Sequence, residues 1–255
     1  MRHIGRRLFC GGGLALACHG PALAQGSVTV AASESFRDPL QILAAAYKQD
    51  HGVSASLSFG ASSAIADQVA KGGVDIVVCA QSWADTMEKD GRLRAESRKD
   101  LLGDHLVLIA PARQAGSIVL KPGAPLVAML GGGKLALADP DKTQTGRFAR
   151  AALESLGLWN GVAQNLVATA NVRAALAAVA DGSAALGVVY RTDLQGHDDV
   201  RIAGSFPDDS HPPIAYSFAL TAAAAPAAPD LLTFLESKDA MARYADAGFV
   251  VPGGA

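Results

Sequence analysis

The chain has 255 residues, half of them hydrophobic, with 22 Lys and Arg against 24 Asp and Glu for a formal net charge of −2. That length buries a sizeable core and accommodates one large domain or two lobes. The mildly acidic balance excludes a nucleic-acid partner drawn in by bulk charge, and beyond the N-terminus no apolar run reaches the roughly 18 residues of a membrane span.

Residues 1–24 read as a targeting segment. Arg6 and Arg7 precede Leu8 and Phe9, a short apolar stretch follows over 11–17, and Ala22-Leu23-Ala24 is a small-x-small cleavage site. The arginine pair points to the twin-arginine export route, with the mature chain starting at Gln25. A general secretory signal is the competing reading. A third makes Cys18 a lipid-anchored N-terminus, although Ala15-Leu16-Ala17 fits that motif poorly. The leader carries Arg2, Arg6 and Arg7 and no acid, so its removal takes the charge from −2 to −5. It also leaves Cys79 as the sole cysteine, which rules out an intramolecular disulfide. Cys79 ends an apolar run and is expected to be buried and inert.

Downstream, residues 28–32 form an apolar strand that ends in Ser33-Glu34-Ser35. A helix over 36–51, a strand over 53–59 ending at Gly60, a helix over 62–71 stopped by Gly72-Gly73 and a strand over 74–80 follow. This β-α-β-α-β run with short turns is the pattern of a parallel sheet with helices on both faces. A short helix over 83–89 and a polar surface stretch to Asp100 lead to a buried strand over 106–110. After a loop and short helix, Gly131-Gly132-Gly133-Lys134 resembles a phosphate loop. It lacks the following Ser or Thr, and a strand over 135–138 comes next instead of a helix.

Thr143-Gln144-Thr145-Gly146 opens a helix over 148–156, and a strand over 167–170 runs into Asn171-Val172 and a helix over 173–180. Strand 184–190 ends on Tyr190, and strand 200–203 precedes a polar, proline-rich segment. A strand over 214–220, a small-residue linker and one amphipathic helix over 231–244 complete the chain. The sheet pattern thus runs once to about Ala80 and again over 106–203, which suggests two lobes facing a cleft.

Four of these turns share one device. Each strand ends in small polar residues at a helix start, where the first amides lack internal partners and carry the positive end of the macrodipole. Such ends bind anions. For Ser62 or Ser63 alone, capping the helix is a sufficient explanation; the recurrence favours a pocket. The mature histidines, His51, His105, His197 and His211, fall at element ends or in polar loops and read as solvated; His211 lies where the chain would cross between lobes. No metal pair or paired carboxylates stand out. Rich in donors and poor in bases, the site has the profile of a binder, not of a hydrolase.

Several stretches coincide with one family. VTVAASES at 28–35, SFGASSAIADQVAKG at 58–72, DIVVCA at 75–80, LLGDHLVLIAP at 101–111 and GGGKLALADP at 131–140 are joined by TGRFARAALESLGLW at 145–159, NVRAALAAVADGSAALGVVY at 171–190 and FPDDSHPPIAY at 206–216. With these the chain resembles the periplasmic molybdate-binding proteins of ABC transporters, a branch of the type II periplasmic binding proteins. The resemblance covers the whole mature chain in order. It implies an α/β fold of two lobes, each a mostly parallel sheet flanked by helices, with the ligand cleft between them. It further implies a tetrahedral oxyanion held by the hydroxyls of Ser35, Ser62 and Tyr190 and the amides of Thr145 and Val172. Thr145 stands where a relative has alanine; only its N–H is required.

The resulting expectation is an exported, periplasmic protein that captures molybdate, and tungstate with it, for an ABC permease. It acts as a monomer, is not an enzyme, and uses no cofactor and no directly coordinated cation. Lobe 1 is expected over 25–104 plus 211–255 and lobe 2 over 105–210, with crossovers near 103–106 and 210–214. The site is expected to hold its dianion with neutral donors alone, Arg37, Arg147 and Arg173 lying past the free amides. Sulfate or another tetrahedral anion is the alternative ligand. An exported serine hydrolase built on Ser62 is the alternative of another class.

Overall fold

Strands and helices alternate through the first third of the chain: β1 (Val28–Ser33), α1 (Arg37–His51), β2 (Ala55–Gly60), α2 (Ser62–Lys71), β3 (Ile76–Ala80) and α3 (Gln81–Lys89). The computed structural model describes residues 27–114 and 116–252. The expected leader, its cleavage site and Cys18 lie outside the described residues. The chain continues through β4 (Lys99–Gly103), β5 (Leu106–Pro111), α4 (Leu126–Leu130), β6 (Leu135–Ala138), α5 (Gln144–Ser155), α6 (Trp159–Val162), β7 (Leu166–Thr169), α7 (Val172–Ala180), β8 (Leu186–Tyr190) and β9 (Val200–Ser205). It closes with β10 (Ala215–Leu220), α8 (Ala228–Leu235) and α9 (Lys238–Asp246).

The strands form two five-stranded sheets, ordered β2-β1-β3-β10-β4 and β7-β6-β8-β5-β9. In the first, β1 runs parallel to β2 and β3, while β10 runs antiparallel to both β3 and β4. The second repeats the scheme, with β6 parallel to β7 and β8 and β5 antiparallel to β8 and β9. Each sheet is therefore mixed, with one reversed strand among four that run together. The reversed strand in each case is the one that has just arrived from the other sheet. The chain leaves the first sheet after Gly103, enters the second at Leu106, and returns over residues 206–214.

Uninterrupted apolar strands are legible as two-sided burial. In β3, Ile76 and Val78 face one apolar cluster while Val77 and Cys79 face another, made with Ile65 of α2 and Ala84 and Met87 of α3. In β5, Leu106, Leu108 and Ala110 pack on one side and Val107 and Ile109 on the other, against Ala175, Leu176 and Val179 of α7. Helices on both faces are what keep such a strand from water.

Three readings of the sequence need correction. The polar stretch before Asp100 runs into an edge strand, β4, whose charged Lys99 and Asp100 are compatible with pairing on one side only. The single C-terminal helix expected over 231–244 is two, because the Ser237 hydroxyl accepts from Ala240 N–H at 3.2 Å and starts α9 afresh. His211 is not solvated. It is buried in the returning crossover, stacked on Phe148 of α5 with ring centroids 6.2 Å apart.

The outgoing crossover is tied to the end of β8. Buried Asp104 accepts from Thr192 Oγ1 at 2.6 Å and from His105 N–H at 2.8 Å, and Arg191 N–H donates to His105 carbonyl oxygen at 2.9 Å. Residue Val250 near the C-terminus pairs with Gly103 through both backbone groups, at 2.7 and 2.9 Å.

Candidate functional site

The carboxyl ends of β1, β2, β6 and β7 open onto one cleft of about 580 Å³ between the two sheets. Ser35, Ser62, Thr145, Val172 and Tyr190 all line it. The first two come from one sheet's turns and the other three from the other's.

Capping decides which amides are available. In α5 the Thr143 hydroxyl accepts from Gly146 N–H at 3.0 Å, so the orphan donor at the third position is used and those of Gln144 and Thr145 remain. In α7 the Asn171 side chain accepts from Ala174 N–H at 3.0 Å, which leaves Val172 and Arg173. Each cap thus consumes the amide furthest from the cleft and spares the two nearest it. In α2 the residue before the helix is Ala61, which has no side chain to cap with, and the first-turn amides of Ser62 and Ser63 are spared. Gly146 permits this placement of α5. A Cβ there would collide with the carbonyl oxygens of Ala138 and Asp139, so only glycine lets the helix start sit directly on the end of β6.

The Ser62 hydroxyl is oriented from behind. Ala80 N–H donates to it at 3.1 Å, and the buried Ser33 hydroxyl lies 3.0 Å away. When Ser33 donates as Ala80 N–H does, the Ser62 proton is free to point into the cleft. Ser35 is fixed through its neighbour: Phe36 is fully buried and packs edge-on against Tyr216 at 5.0 Å and face-on against Phe249 at 4.3 Å.

Two phenols meet at the cleft floor. Tyr190 ends β8, and burial raises its pKa although the Thr145 hydroxyl beside it works the other way. Tyr216, in β10, is raised by burial as well, with Ser35 in hydrogen-bonding contact opposing the shift. Both therefore remain O–H donors at neutral pH. Tyr216 is missing from the sequence-derived set. No local pattern marks it, since it sits beside the returning crossover and opposite Ala80 only once β10 pairs with β3.

The expectation that basic side chains lie clear of the site is corrected. Arg147, Arg173 and Lys142 line the cleft. Lys142 is spent on Asp139 at 2.9 Å and points to solvent. Arg173 reaches Glu34 across the cleft at 3.0 Å. Glu34 lines the cleft too, and Asp193 closes one wall, its Oδ2 accepting from Tyr190 N–H at 3.0 Å. No group of three or more potential metal ligands occurs among the described residues. The partners of Ser62 are a hydroxyl and an amide, neither of them a base.

A family description, bacterial extracellular solute-binding protein, matches residues 28–250. The chain belongs to this family. It is 35% identical over 217 residues to the molybdate-binding protein ModA of Escherichia coli K12, covering 84% of each chain. It is also 35% identical over 230 residues to ModA of Haemophilus influenzae Rd, covering 89% of this chain and 91% of that one. Among solved structures, the Azotobacter vinelandii periplasmic molybdate-binding protein superposes with a TM-score of 0.73 at 22% identity, over 89% of this chain and all of that one. At that identity the superposition bears on the fold: this solute-binding protein has the two-lobed α/β architecture. No helix among the described residues is long and apolar enough to cross a membrane.

Proposed function

We infer that this solute-binding protein captures molybdate, and tungstate as an ion of like shape and charge, outside the cytoplasm and delivers it to an ABC permease. It acts as a monomer, takes no cofactor and catalyses no reaction. Two ModA relatives at 35% identity support the ligand class. One observation carries it at this chain's own residues. The caps of α5 and α7 leave paired amides facing Ser35 and Ser62 across a single cleft. Hydroxyl and amide donors favour a fully deprotonated tetrahedral oxyanion; the proton of a phosphate would have to compete with Arg37 and Arg173 for the Glu34 carboxylate. Donors from both lobes line this one cleft, so a captured ion is held between the lobes. Among the described residues Ser62 bonds the Ser33 hydroxyl and Ala80 N–H, an arrangement that supports binding over hydrolysis.

Calorimetric titration with molybdate, tungstate, sulfate and phosphate tests the reading. Molybdate and tungstate should bind tightly, sulfate much more weakly and phosphate not at all. Equal affinity for sulfate would replace the proposed ligand. Export follows from the leader at residues 1–24, and mass spectrometry of the exported form should find Gln25 as its first residue. A lipid on Cys18 would instead make the protein membrane-anchored.

A further inference from the structure

At the mouth of the cleft a chain of contacts runs from one lobe to the other. It begins at Phe59 in β2, over whose ring the Arg37 guanidinium lies at 4.6 Å. Arg37 donates through Nε at 2.8 Å and through a terminal nitrogen at 2.5 Å to one oxygen of Glu34. The same oxygen meets Arg173 of α7, in the opposite lobe, at 3.0 Å. Glu34 is flanked by Ser33 and by Ser35, and Arg173 follows Val172 directly, so the pair joins the two turns that carry candidate donors.

A carboxylate beside an anion site is repulsive in itself, and its presence calls for a reason. We propose that Glu34 and Arg173 are positioning residues that hold the Ser35 turn in register with the Val172 amide, and so set how long the captured oxyanion is retained. The proposal rests on the binding reading above. Arg37, stacked on Phe59, fixes the Glu34 carboxylate before the lobes meet, so little side-chain freedom is lost when Arg173 arrives. Asp193, of the same lobe as Arg173, is another carboxyl that lines the cleft.

The test separates positioning from plain charge. If Glu34 acted only through its field, Glu34→Gln would tighten molybdate binding and Arg173→Gln would weaken it. A bridging pair predicts the same sign for both. Stopped-flow release of molybdate should be faster in each variant by about two- to fivefold, the range of a partly exposed ion pair, with the association rate little changed. The double variant should be no worse than the more affected single one. Slower release from Glu34→Gln, or release unchanged in both, overturns the proposal. Calorimetry on the parent comes first. Should it bind no oxyanion, the function reading fails and small-angle scattering alone decides. A larger radius of gyration in both variants supports the pair, and radii identical to the parent overturn it.

Discussion

At the scale of single residues, the hydroxyl donors proposed for the ion are held from behind. Ser62 receives Ala80 N–H and neighbours Ser33, and Ser35 is anchored by Phe36. Removing one such donor by Ser62→Ala or Ser35→Ala is expected to weaken molybdate binding by about 1.5–3 kcal/mol, the range for hydrogen bonds to a charged group. Tyr190→Phe should cost less if the amides dominate. Titration of the three variants measures this, and undiminished affinity in both serine variants would put the site elsewhere. Cys79 stands apart from this chemistry. Burial pushes its thiol up to about 12, against the pull of Arg98. The folded protein should therefore leave it unreacted with a thiol reagent at mild alkaline pH, and denaturant should expose it. Small polar residues at helix starts marked the turns as a local signal, whereas the choice of Ser35, Ser62, Thr145, Val172 and Tyr190 within them came from the family resemblance. Tyr216 was not legible, since its approach to Ser35 depends on β10 returning between β3 and β4. Nor was the reach of Arg173 to Glu34, which no spacing along the chain encodes.

At the scale of elements, each lobe delivers donors by seating helix starts on strand ends. Gly146 is the tightest such seat. Gly146→Ala should force α5 away from β6, destabilise the protein by about 1–3 kcal/mol as overpacking does, and lower affinity by more than its stability loss explains. Thermal unfolding and calorimetry on the same sample check both; a variant with parental affinity would mean that the Thr145 amide is not a donor. Element existence was readable wherever periodicity was strong, as in α1, β3 and α7. It failed at β4, whose KDLLG sequence earns its place only by pairing with β10, and at the α8–α9 break, where an apolar face continues while Ser237 caps a new helix. In both cases a contact distant in sequence or a single cap overrode the local pattern.

At the scale of the whole molecule, two carboxyls sit where the lobes join. Asp104 lies in the outgoing crossover and Asp193 just after β8, both beside Tyr190, and closure on molybdate should reduce the radius of gyration in small-angle scattering. Their burial also makes stability depend on pH. Burial raises Asp104, and it raises Asp193 to about 7 in spite of Tyr190 N–H and nearby Arg173. An unfolded Asp gives up its proton near 3.9. Between roughly pH 4 and 7 the unfolded chain therefore binds fewer protons at these sites than the folded one, and stability falls as pH rises. The contribution is fully present below the unfolded value and lost through the folded value. Asp139 and Asp181 act in the other direction, each lowered by hydrogen bonds from its own turn, Lys142 and Ser183 being their first partners. Theirs is present above the usual carboxylate range and lost as pH falls below it. The melting temperature should accordingly peak in mildly acidic buffer and decline toward alkaline pH. Asp193→Asn keeps an oxygen to accept from Tyr190 N–H but carries no charge to bury. It should raise the melting temperature at about pH 8 by a few degrees, change it little at about pH 5, and flatten the decline between them. An equal shift at both pH values would mean that the substitution acts through packing and that the Asp193 carboxyl is not the group that titrates.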